Sequence, residues 1–255
     1  VVAGFLDGAA RMAVWAVALA IDYLWLLVGG MRGWRVSPEH FVERHGLIII
    51  IAIGESIVAI GVGAAGIPLD GPTIAAALLG IVIASALWWS YFDWAVYVAQ
   101  ARLADASGAE RAVLARDLYS YLHLPMVAGI VLFALGMKTT LSHSDEALGI
   151  ISALGMSGGL ALYFAAHVAT RRRMAGGWGH GRPIATIVLI ALVPVATWVP
   201  ALAALALVTA VCVALIAYEA LRYPYARSWI RSHRGAFTME EASQIAPRRG
   251  GNPEA

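Results

Sequence analysis

Between Gly46 and Ala65 the chain runs through twenty residues with one ionisable side chain, Glu55. A stretch of that length and polarity crosses the roughly 30 Å hydrocarbon core of a bilayer as a helix. Lipid offers no partner to a free N–H or C=O, so a spanning segment must close its hydrogen bonds within itself. The pattern recurs. Apolar runs over 12–30, 46–65, 72–98, 119–138, 147–168, 183–199 and 200–221 give about seven transmembrane helices. The expected fold class is therefore all-α, a polytopic membrane helical bundle over residues 1–234. The sixth run is short and contains Pro194, which predicts a kink there or a tight hairpin into the seventh. Composition agrees: 60% of the 255 residues are hydrophobic and 13% charged, against about 25% charged in a soluble domain.

The loops give an independent test. Basic residues collect on the cytoplasmic side of membrane proteins. Alternate loops and the tail hold sixteen of the eighteen basic residues, from Arg32, Arg35 and Arg44 through Arg171–Arg173 and Arg182 to Arg248 and Arg249. The other side holds Arg11 and Lys138. This distribution predicts an extracytoplasmic start and a cytoplasmic C-terminus, and it accounts for the net charge of +2 without a nucleic-acid partner. Residues 100–117 read as an interfacial helical stretch, and 235–255 as a disordered cytoplasmic tail. Val1 in place of Met suggests that the start of a longer protein is missing.

Several familiar chemistries find no support. Cys212 is the only cysteine, so there is no intrachain disulfide and no Cys-based zinc site. His40-Phe-Val-Glu43-Arg-His45 has the wrong spacing for a HExxH zinc helix. The glycine-rich stretch 175–182 lacks the Gly-Lys-Ser/Thr ending of a phosphate loop. No catalytic residue, metal or cofactor is nominated.

What remains is ionisable groups at hydrocarbon depth, each costing roughly 3 kcal/mol on insertion scales. Glu55 lies eleven residues beyond Arg44, about 16 Å deeper along a helix. Eleven residues is also three turns, so His40, Arg44, Ile51 and Glu55 share one face. Such a stripe suits a proton- or cation-handling path; a carboxyl that locks the bundle by hydrogen bonding is the alternative. Ala52, Ser56, Ala59 and Gly63 recur at helical spacing and are expected to set Glu55 against protein, with Ser56 beside it in the candidate ion site. Asp22 falls midway along the first span. Asp93 follows Trp88 and Trp89, which form an interfacial belt or wall a cavity. Pro125 removes a helix hydrogen bond near Tyr121 and His123, the kind of break at which transporters bind ions. His167 and Glu219, near helix ends, read as snorkelling or interfacial.

The stretch His40-Phe-Val-Glu-Arg-His-Gly-Leu-Ile-Ile-Ile-Ile-Ala-Ile-Gly-Glu-Ser-Ile-Val-Ala-Ile-Gly61 resembles the signature of the bacterial low-temperature-requirement protein A (LtrA) family. Ile21-Asp-Tyr23, Ala86-Leu-Trp-Trp-Ser-Tyr-Phe-Asp93 and Tyr119-Ser-Tyr-Leu-His-Leu-Pro-Met-Val-Ala-Gly129 fit it too, and the likeness runs to about Glu219. The resemblance implies a bacterial inner-membrane protein with about twelve spans in two similar six-helix halves. This chain would carry the second half and one preceding span, with the missing N-terminal half as a partner. It lacks the Glu-Leu-Phe-Phe-Asp-Leu motif of the family's first span. The family name records a growth phenotype and no activity.

Three functions compete. The first is a transporter or channel for protons, small cations or a small solute. Glu55 would be the proton or cation carrier, Asp22 its partner and Arg44 a gate or a pairing group; Asp93 and His123 would line the inner vestibule. The second is a non-transporting membrane protein that binds lipid or a partner or serves as a sensor, with the acids as structural glue. The third is a membrane enzyme acting on a lipid head group.

Overall fold

A computed structural model of the chain describes residues 2–28, 36–234 and 236–245. Arg32, Arg35 and the tail from 246 onward lie outside the described residues. The described part is 84% helical with no strand.

Helix α1 (Gly8–Val28) is followed by α2 (Pro38–Ala64), which starts at Pro38 beyond an extended Ser37. Proline suits that place, because the first helical N–H has no intrahelical acceptor. At 27 residues, α2 is about 40 Å long. Helix α3 (Gly71–Phe92) is capped by Asp70, whose carboxylate accepts the Thr73 amide at 2.9 Å. That amide holds the Asp70 carboxyl below its ordinary pKa.

The third span was expected to reach residue 98, but α3 ends at Phe92. Trp94 leaves the helical region (φ −149°, ψ −30°), and α4 (Ala95–Asp105) and α5 (Gly108–Ala115) follow. Asp93 at the break is held by arginines from the far end of the chain, which fixes the turn. A π-helical turn over Arg116–Tyr121 then leads into α6 (His123–Ser142). The Leu122 amide donates to the Asp117 carbonyl at 3.0 Å, five residues back. Pro125 falls in the first turn of α6, so the irregularity lies before the proline. Next come α7 (Ile150–Ala153), a second π turn (Leu154–Gly158) and α8 (Gly159–Ala175), which together form one crossing.

Helix α9 (Gly181–Val195) stops one residue after Pro194, and α10 (Ala201–Arg222) starts after Pro200. The turn between them is tied to the α6–α7 loop, with Ala201 and Leu202 amides donating to Glu146 and Ser144 carbonyls at 2.8 and 2.9 Å. Two helices follow, α11 (Pro224–His233) and α12 (Met239–Ile245). The latter corrects the expectation of disorder for 239–245: its Met239 amide donates to Asp105 at 2.6 Å. Among the described residues, six helical stretches are long and apolar enough to cross a membrane. The 15-residue α9, about 22 Å long, is a shorter apolar seventh.

The bundle is organised on α6, which packs between α2 and α8. The α6–α8 crossing works because it has almost no side chains. A Cβ on Gly129 would stand 2.5 Å from the Gly159 carbonyl oxygen, and one on Gly136 would stand 2.5 Å from the Met156 amide nitrogen. Close backbone approach of this kind is how helices associate in lipid, where apolar burial supplies little drive. Around it Phe133, Tyr163, Phe164 and Leu87 are fully buried. The outer surface is apolar, with Ile187 67% and Leu78 58% exposed. Helix α1 stands at the edge, anchored by the Tyr121 hydroxyl donating to the Tyr23 carbonyl at 2.8 Å.

Candidate functional site

The α2 stripe forms as its spacing requires, but it faces away from the bundle. His40, Arg44, Ile51 and Glu55 are all exposed. Ala52, Ser56 and Gly63 are buried on the other side, where Gly63 meets Leu141 of α6. The expectation that the small residues set Glu55 against protein is thus corrected: they seat the opposite face of the helix. Ser56 spends its hydroxyl on the Ile53 carbonyl at 2.6 Å, so it does not join Glu55 in a site. Asp22 is also exposed on α1. Among the described residues neither Asp22, Arg44 nor Glu55 has a hydrogen-bonding or ionic partner, and His40 has only an exposed Glu43 at 3.8 Å.

The buried polar chemistry lies elsewhere, at the arginine-rich end. Arg182, in the first turn of α9, is 7% exposed. Its Nε and Nη2 donate to the two Glu219 oxygens of α10 at 2.8 and 3.2 Å. Nη2 also reaches the Ser90 carbonyl at 2.9 Å, and Nη1 lies 2.8 Å from His167 Nδ1 on α8. The guanidinium stacks over Trp94 at 5.0 Å. One side chain therefore joins α3, α8, α9 and α10. Arginine only donates, so His167 Nδ1 is the acceptor and the ring carries its proton on Nε2. Nearby, the Tyr163 hydroxyl donates to the Leu87 carbonyl at 2.8 Å and meets Ser90 Oγ at 3.0 Å.

Asp93 forms a second buried cluster. Arg227 and Arg231 of α11 both pair with it, the latter at 3.0 Å. Asp93 thus docks α11 onto α3 and does not line an open vestibule. Trp88 and Trp89 point outward, 46% and 38% exposed, which fits the belt and removes the cavity wall.

His123 is buried, with Nε2 3.1 Å from the His45 carbonyl. Rings connect it onward: His45 lies 5.3 Å from His123, and Tyr91 lies 5.8 Å from His123 and 6.0 Å from His167. A file of polar aromatic groups therefore runs from α2 through the core to the Arg182–Glu219 pair. Tyr121 is set apart from it and serves to hold α1.

Sequence reasoning missed Arg182, His167 and Glu219 as a unit. The last two are buried, at 3% and 7% exposure, and neither snorkels. One signal was present: Arg182 opens one apolar helix and Glu219 closes the next, so both fall at the same depth.

A profile of the family described as bacterial low temperature requirement A protein (LtrA) matches residues 1–217. A protein of Rhizobium meliloti (strain 1021), named uncharacterized protein RA0937, is 30% identical over 167 residues. That alignment covers 61% of this chain and 40% of the relative, so the chain spans well under two thirds of it. No solved structure matches the chain.

Proposed function

The chain belongs to the bacterial low temperature requirement A (LtrA) family, and from that premise we propose that it is part of a transporter or channel for protons, small cations or a small solute. Glu55 carries the reading. A carboxyl well inside a spanning helix, on a face this chain leaves bare, is costly against acyl chains. Further helices of the same polypeptide cover that face in this account, and the greater length of the Rhizobium relative supports such a cover. Glu55 then carries the ion at the junction, Asp22 assists it, and His40 and Arg44 stand at the mouth. The arginine-rich end is cytoplasmic, in the bacterial inner membrane.

The alternative of buried acids acting as glue applies to two of them. Asp93 and Glu219 are each matched to arginine, whereas Glu55 and Asp22 have no such partner among the described residues, and unmatched groups are the ones available to bind a moving ion. In liposomes the intact protein is expected to conduct protons or a monovalent cation, with Glu55→Gln lowering the flux at least about tenfold, the scale of a lost charged group worth 1.4 kcal/mol or more. Unchanged flux in Glu55→Gln would remove Glu55 from the mechanism. No flux in the wild type would remove transport.

A further inference from the structure

At the arginine-rich end a cavity of about 1090 Å³ opens between the α8–α9 turn, the end of α10, and α11 and α12. Its wall includes the stretch Gly177–Arg182, which is not a nucleotide loop but here lines a large space. The floor is the Arg182–Glu219 pair, already neutralised. The rim is not neutralised. Arg171 and Arg222 both line the cavity, both are exposed, and neither has an acidic partner among the described residues. Both line it together with Tyr218 and Tyr223. Burial and the neighbouring Tyr218 push the Tyr223 phenol up, and both guanidinium groups lie near enough to oppose that push. Arg222 sits 5.6 Å from the Tyr223 ring. Neighbouring Arg172 and Arg173 are engaged, on the Trp178 ring and on Asp117.

We propose that this cavity binds the phosphodiester head group of an anionic phospholipid, with Arg171 and Arg222 as its ligands. Two unpaired guanidinium groups beside two tyrosine hydroxyls match the oxygens of a phosphate, which arginine recognises by paired, charge-assisted hydrogen bonds. The depth suits a lipid. The cavity lies where α8 and α10 leave the apolar zone, and basic pockets between spans at that level take anionic head groups. The mouth also has apolar flanks for acyl chains, with Leu221 83% and Trp178 58% exposed.

The test is native mass spectrometry of the purified protein, with phosphatidylglycerol and phosphatidylcholine offered at equal concentration. Phosphatidylglycerol is expected to be retained at least about tenfold better, the step that 1.4 kcal/mol gives. Arg171→Gln/Arg222→Gln, two surface changes, is expected to abolish that preference while circular dichroism stays unchanged. Equal retention of both lipids overturns the proposal, and so does a double variant that still prefers phosphatidylglycerol. Glycerol 3-phosphate competing as well as the lipid would overturn the lipid source and assign the site to a soluble phosphate ester.

A second inference rests on different atoms. Among the described residues His167 Nε2 and Thr170 Oγ1 are buried without a partner, and both residues line a small, partly open space of about 20 Å³ beside His123. The protons on the two rings are complementary. Arg182 leaves His167 with an Nε2–H to donate. The His45 carbonyl, an acceptor only, fixes the His123 proton on Nε2 and leaves Nδ1 to accept. The geometry points to a single water that accepts from His167 and donates to His123, with the Thr170 hydroxyl as its third partner. The space is large enough for one water, and three partners is the usual number. This site stands whether or not the protein transports protons.

Radiolytic footprinting reads it, because a bound water activated in place oxidises the side chains that touch it. Met126 lines the space, whereas Met137 and Met156, equally buried, do not. Met126 is expected to oxidise several-fold faster than those two, and Thr170→Val to bring it down to their rate. Equal rates in the wild type, or no effect of Thr170→Val, would contradict the assignment.

Discussion

Arg182→Leu is expected to lower the unfolding free energy by about 3–5 kcal/mol, the usual loss when one member of a buried ion pair is removed. The substitution strands three groups together. Glu219 loses the guanidinium bound to both its oxygens, His167 Nδ1 loses its donor, and the Ser90 carbonyl loses its bond from Arg182. Glu219→Leu is expected to cost a similar amount, because Arg182 is then the buried charge without a counterpart. The double variant should recover much of the loss, since a buried pair replaced by apolar side chains is often close to neutral. Denaturant unfolding of the four proteins in one detergent gives the coupling energy. Strictly additive losses would mean that the pair is not what joins α9 to α10.

The second large effect belongs to the α6–α8 crossing. Gly136→Leu places a whole side chain where even a Cβ would stand 2.5 Å from the Met156 amide nitrogen and 2.8 Å from its Cα. The clash is with backbone, so no rotamer relieves it. Overpacking typically costs about 1–3 kcal/mol and more when backbones must separate; Gly136→Ala is expected near the lower end and Gly136→Leu above the upper. Gly61→Ala on α2 is the matched control, since nothing lies within 4 Å of a Cβ there. It is expected to be neutral or stabilising, by up to about 1 kcal/mol from helix propensity. Thermal melts followed by monodispersity check the order. A Gly136→Leu protein that melts with the wild type would place the close approach elsewhere.

How much of this was legible in the chain depends on range. Apolar runs and alternating arginines are local signals, and they were enough for the membrane-spanning helices and the all-α class. The motif around Glu55 was enough for the family. Periodicity put His40, Arg44 and Glu55 on one face, yet it says nothing of which way that face turns. Ser56, one residue from Glu55, is buried while Glu55 is not. The direction was set by what α6 offers to the Ala52–Ser56–Gly63 side, a long-range fact. The pairing of Asp93 with Arg227, 134 residues away, and of Arg182 with Glu219, 37 away, was hidden for the same reason. The break at Asp93 follows from that pairing and not from any breaker in the local sequence.

The central claim is that the bare face of α2 belongs to a watered interior in the working protein. Cysteine chemistry can ask this cleanly, because Cys212 is fully buried. In native membranes the Glu55→Cys variant is expected to react with a charged, membrane-impermeant thiol reagent, while an Ile187→Cys variant on the apolar surface does not. If both stay unlabelled, with Glu55→Cys modified only by a lipid-soluble maleimide, the α2 stripe faces hydrocarbon and the path proposed along it does not exist.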